Sequence, residues 1–145
     1  MGYDFKGFFT DNLNYETFCH ELAHLPVVVK QIENPFHGLG VKLDEDESYD
    51  DESFEAFYEQ EKALVSTIKS LSIQFPKSTF AWIEVKCFGG TCLYIGFVMQ
   101  NGIQQFSKIE YDSDPTILPK ILSFLGITLA DNLFFEPFTR GYWQN

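Results

Sequence analysis

Residues 79–111, TFAWIEVKCFGGTCLYIGFVMQNGIQQFSKIEY, decide how the rest of the chain is read. Gly89-Gly90 and Asn101-Gly102 are two-residue hairpin signals, each set between runs rich in β-branched and aromatic residues. They divide the stretch into three antiparallel strands, Thr79–Phe88, Thr91–Gln100 and Ile103–Tyr111, a meander whose register the turn centres fix. Phe88 then faces Thr91, Cys87 faces Cys92, and Trp82 faces Phe97. Around the second turn Gln100 faces Ile103 and Phe97 faces Phe106. A Trp82–Phe97–Phe106 row on one face would hold the sheet in register through cross-strand aromatic contact. Ala81, Ile83, Val85, Val98 and Ile109 fall on the other face. With both faces apolar, helices are expected to cover at least one of them.

Working outward, the segment before the meander reads as a long helix over Glu52–Phe75. Phe54, Phe57, Tyr58, Leu64, Val65, Ile68, Leu71 and Phe75 recur there at spacings of three and four, and Pro76 ends it. Upstream, Tyr3–Phe9 reads as extended, and Asn14 caps a short helix over Tyr15–Leu25 that Pro26 stops. Val27–Ile32 is β-branched and reads as a strand. Phe36–Leu43 is a second strand, interrupted by glycine. Beyond the meander, Asp112-Ser113-Asp114-Pro115 signals a helix start. Its cap at Thr116 would put Pro119 at the third helical position, with Gly126 as the stop. The tail holds Phe134, Phe135, Phe138, Tyr142 and Trp143, read as packing on the sheet or, failing that, as a partner-binding patch. The fold class is therefore α+β: an antiparallel sheet around the three-stranded meander, with helices packed on it, in a single domain spanning residues 1–145.

Composition narrows the function classes. The chain carries 21 acidic and 10 basic residues, a formal net charge of −11, and its one arginine is Arg140. Affinity for nucleic acid needs clustered Lys and Arg, and anionic lipid attracts the same groups, so no nucleic-acid partner and no membrane partner is expected. No basic segment followed by an apolar run begins the sequence, and no span long and apolar enough for a membrane helix occurs. Three cysteines, Cys19, Cys87 and Cys92, are too few for a disulfide framework at this length. A cytoplasmic protein with Cys87 and Cys92 as reduced, opposed thiols is the expectation, although their register would permit a cross-strand disulfide on oxidation.

His20-Glu21-Leu22-Ala23-His24 matches H-E-x-x-H. On a helix, residues four apart share a face, so two imidazoles so placed can ligate one Zn²⁺. Over these five residues the chain resembles the zincin metallopeptidases. The resemblance implies His20 and His24 as zinc ligands and Glu21 as general base on the metal-bound water. The longer metzincin pattern is not met, since Val27 and Lys30 stand where its Gly and His would fall. No third ligand is evident, Glu33 and His37 being the nearest by sequence. The alternative places both histidines on the polar edge of a short amphipathic helix.

The sharpest shift in composition lies at residues 44–61, where ten of eighteen positions are Asp or Glu. Asp44, Asp46 and Ser48 begin an EF-hand-like spacing that the following residues do not complete. Crowded carboxylates repel one another, and a basic partner would relieve that repulsion. The leading reading is therefore a non-catalytic, acidic protein-binding domain. Asp44, Glu45, Asp46, Glu47, Asp50, Asp51, Glu55 and Glu59 would be its contact residues, and no cofactor is called for. In size, charge and texture the chain resembles small acidic bacterial toxin-immunity proteins, which implies inhibition of a basic partner by an acidic face. A zinc metallopeptidase using His20, Glu21 and His24 is the alternative.

Overall fold

The structure is a computed structural model that describes residues 3–33, 36–43, 51–128, 137 and 142–143. In chain order the elements are β1 (Tyr3–Thr10), α1 (Tyr15–Glu21), β2 (Val27–Ile32), β3 (Gly38–Leu43), α2 (Asp51–Gln74), β4 (Thr79–Phe88), β5 (Thr91–Gln100), β6 (Ile103–Asp112) and α3 (Ile117–Ser123). The strands form one sheet in the order β2-β3-β1-β4-β5-β6, and every pairing is antiparallel. The architecture is α+β.

β1 and β4 form the middle of the sheet, and β1 supplies aromatic side chains to both of its faces. Alternate residues of a strand point to opposite sides. Phe5 and Phe9 therefore enter one core with Ala81, Ile83, Val85, Val98 and the α3 residues Ile117, Leu118, Ile121 and Leu122. Phe8 enters a second core with Phe18 and Leu22 of the α1 region, Leu64, Ile68 and Leu71 of α2, and Phe80 and Trp82 of β4. Phe5, Phe8, Phe9, Phe18 and Phe80 are fully buried. Each contributes on the order of 1.5–3 kcal/mol relative to an exposed ring. Helices thus cover the sheet on both sides, where the sequence had required only one.

Around Gly89-Gly90 the register is Phe88↔Thr91, Cys87↔Cys92 and Trp82↔Phe97, as the turn centre dictates. The Trp82 and Phe97 rings stack with centroids 6.2 Å apart. The β5–β6 ladder departs from expectation. Gln100 pairs with Ile103 and Met99 with Gln104, but the register then shifts, so that Val98 pairs with Phe106 and Phe97 with Ser107. The extra residue, Gln105, forms a bulge, and a one-residue slip turns every later side chain to the other face. Phe106 therefore leaves the expected aromatic row. It packs against Phe124 at 6.3 Å, with the Lys120 ammonium 4.9 Å from its ring centre. Ile109, assigned to the opposite row, has its side chain outside the described residues.

α1 is shorter than its sequence pattern suggests. Asn14 caps it through Thr17 N–H as expected, but it ends at Glu21 with Leu22 as C-cap. Beyond that point Ala23 N–H donates to His20 O and Leu25 N–H to Leu22 O, three-residue turns that tighten the chain toward Pro26. A residue preceding proline is disfavoured in the α region, so the helix gives way before Leu25. In α3, Thr116 is the N-cap and Pro119 takes the third helical position. Its missing N–H there costs no intrahelical bond. Gly126, at φ 76°, follows the end of α3.

Candidate functional site

Among the expected contact residues, Asp44, Glu45, Asp46, Glu47 and Asp50 lie outside the described residues. Asp51, Glu55 and Glu59 recur at four-residue intervals along the first half of α2, a helix of 24 residues and so about 36 Å long. Its second half carries Leu64, Ile68 and Leu71 into the sheet. At that end Ser72 Oγ is fully buried, donates to Lys69 O at 2.7 Å and accepts from Gly102 N–H at 3.0 Å. The adjoining corner is closed by Thr79 N–H on Asp11 Oδ1 at 2.9 Å and by Asn12 Nδ2 on Ser78 Oγ at 3.0 Å. α2 is therefore anchored at its C-terminal end, and the carboxylate-rich half is the end that leads back to β3.

The H-E-x-x-H residues do not share a helix. His20 sits in the last turn of α1, Glu21 is its final residue, and His24 falls in the turn that follows. All three are exposed. Because the α-helical repeat stops between the two histidines, the four-residue spacing no longer sets them one above the other. Among the described residues no group of three His, Cys, Asp or Glu side chains is placed to hold a metal ion.

Cys87 and Cys92 are joined in a disulfide across the β4–β5 ladder, with Cα atoms 4.0 Å apart. This corrects the expectation of two reduced thiols. The bond closes the Gly89-Gly90 hairpin, whose glycines both adopt positive φ. Cys19, half-buried on α1, is the free cysteine.

Two features were not read as a site from the sequence. The first is Glu84, a buried carboxylate on β4 that sits opposite Lys6 of β1. An opposite-charge pair across a ladder is a favourable arrangement. The second is a groove of about 350 Å³ at the outer edge of β2, lined by Tyr15, Val28, Val29, Lys30, Gln31 and Trp143. Tyr15 comes from the α1 side of the sheet. Trp143 comes from the other, where it approaches Phe5 at 5.8 Å and Phe9 at 6.3 Å and donates from Nε1 to Pro137 O at 2.8 Å. The Lys30 ammonium lies 3.9 Å from the centre of the Tyr142 ring and donates to Tyr142 O. Tyr142 and Trp143 thus pack on the sheet, as one reading of the aromatic tail expected. Phe134, Phe135 and Phe138 lie outside the described residues.

Comparison of the chain with protein-family models, with curated proteins and with solved structures finds no match. No described helix is long and apolar enough to cross a membrane.

Proposed function

We propose that this chain is a non-catalytic binding protein whose acidic segment engages a basic protein partner, in the manner of an immunity-type inhibitor. One observation carries the reading: ten carboxylates lie within residues 44–61, in a chain whose net charge is −11. Asp51, Glu55 and Glu59 belong to a helix whose other end is tied into the sheet, and a rigid support lowers the entropy lost on docking. A field of one sign speeds encounter with an oppositely charged protein and disfavours partners of like charge. Neither nucleic acid nor anionic lipid suits that charge. A cytoplasmic location is proposed from the sequence alone; the bonded Cys87–Cys92 pair argues against it, because disulfides persist mainly in oxidising compartments.

The test is calorimetric titration with a small lysine-rich protein and with the same protein after lysine acetylation. Binding is expected for the native probe alone, weakening steeply as salt is raised. Asp46→Lys, Asp50→Lys and Asp51→Lys together should weaken binding and flatten its salt dependence. Equal binding of the acetylated probe, or indifference to the three reversals, would refute the reading.

A further inference from the structure

β2 is the outermost strand of the sheet next to β3, and among the described residues no strand lies along its other side. Such an edge presents N–H and C=O groups to any extended chain that can reach them. Val27, Val28, Val29 and Lys30 are half-buried, and the groove over this edge has an aromatic wall on each face of the sheet, Tyr15 on one and Trp143 on the other. Its volume of about 350 Å³ falls in the range of binding clefts. The groove's dimensions, and an edge with no paired strand among the described residues, suit one added strand, with side chains alternating toward Tyr15 and Trp143.

Charge indicates what the strand belongs to. Val27, the first residue of β2, pairs with Leu43, the last residue of β3, and Asp44 follows Leu43 directly in the chain. The acidic run therefore begins with the residue after Leu43, the ladder partner of Val27. Lys30 further along is already held against Tyr142, so a cation is unwelcome opposite it. In the antiparallel sense that the whole sheet follows, an added peptide would put its C-terminal end beside Val27.

We propose that β2 is a strand-addition site for an extended segment of the basic partner, uncharged along Val28–Gln31 and basic at its C-terminal end. The proposal rests on the basic-partner reading above and specifies how that partner docks. The probe is the blocked peptide Thr-Val-Thr-Val-Thr-Lys-Lys-Lys, followed by amide hydrogen exchange and ¹⁵N chemical shifts. On binding, the amides of Val28–Gln31 should shift and gain protection. N-methylation of alternate peptide amides, which leaves charge intact, should weaken binding by about tenfold or more. Equal binding of the methylated peptide, shifts confined to residues outside β2, or no binding at millimolar peptide would each overturn the proposal. Binding that ignores methylation but follows the lysine tail and salt would overturn strand addition and leave the acidic reading standing. Binding that needs the unmethylated backbone, yet is unchanged when the lysines are replaced by threonine, would support the edge and overturn the charge argument.

Discussion

Trp143 fills the space that a side chain at position 40 would need: a Cβ built on Gly40 would lie 2.7 Å from its Cη2. The indole is thereby seated on the backbone of β3, against the stacked rings of Phe5 and Phe9 on the neighbouring strand. Gly40→Ala should displace it and cost about 1–3 kcal/mol. Trp143→Ala should cost a similar amount through lost burial, about 1.5–3 kcal/mol. The double variant should lose less than the sum, because the two changes share the Trp143 contact, while Ile32 Cδ1, 2.8 Å from the same Cβ, retains part of the Gly40→Ala cost. Urea denaturation of the four proteins checks this, and strict additivity would show that the ring is not seated there.

The Cys87–Cys92 bond closes a short loop, for which chain entropy gives about 2 kcal/mol. Cys87→Ser with Cys92→Ser should lower stability by about that amount while leaving the sheet intact. Thiol titration of the denatured, unreduced protein should count one group, Cys19, rising to three after reduction. A count of three before reduction would contradict the bond.

Phe18 is ringed by Phe8, Phe75 and Phe80, with the Phe80 ring stacked 6.0 Å away. Phe18→Ala should cost about 3–5 kcal/mol, since three aromatic neighbours cannot all collapse into the void. Leu13→Ala, on a side chain 68% exposed, should change stability by less than about 0.5 kcal/mol. Thermal unfolding of the two variants side by side provides the comparison.

Asp112 and Asp114 are held below the ordinary carboxylate value of 3.8, Asp112 mainly by the backbone N–H of Asp114 and Asp114 mainly by that of Thr116. Lys108, 3.2 Å from Asp112, adds to the first shift. A depressed folded value means that the stabilisation is present above the unfolded value and is lost as pH falls through the folded one. Asp114→Asn should therefore lower stability at neutral pH and flatten the acid limb of the profile, the two proteins converging as pH falls through the folded value. Carboxyl NMR titration reads both groups directly. Ordinary values at both positions would remove the basis for the effect.

His20 and His24 lie on either side of the end of α1. Replacing either with Ala should leave stability within about 0.5 kcal/mol of the parent, as for other exposed positions. About one equivalent of tightly held zinc, lost in both variants and accompanied by hydrolysis that Glu21→Gln abolishes, would favour the peptidase reading over the binding one.

How much could be read in advance varied with where the information lay. Gly89-Gly90 carries its register in the turn itself, so Trp82↔Phe97 followed from counting. Asn101-Gly102 fixes only the first pairs. The bulge at Gln105 has no mark in the sequence, since the contacts that select it come from Phe124 and Lys120 on a helix further along the chain. Pro26 marks a stop in the sequence, but α1 ends at Glu21, because the restriction a proline imposes falls on the chain before it. For Cys87 and Cys92 the geometry was legible and the oxidation state was not. The acidic segment announces itself by composition, but its cross-chain neighbours are not written in the local sequence. The β2 groove was invisible for a related reason: Tyr15 and Trp143 stand at opposite ends of the chain.

Helices pack on both faces of the sheet's central strands. A sheet so covered keeps its open surface toward its rim, at the outer strands, the hairpin tips and the segments that join them. Sequence change there can redirect recognition while the aromatic interior stays as it is, so the perimeter is where close variants of this chain should differ in what they recognise.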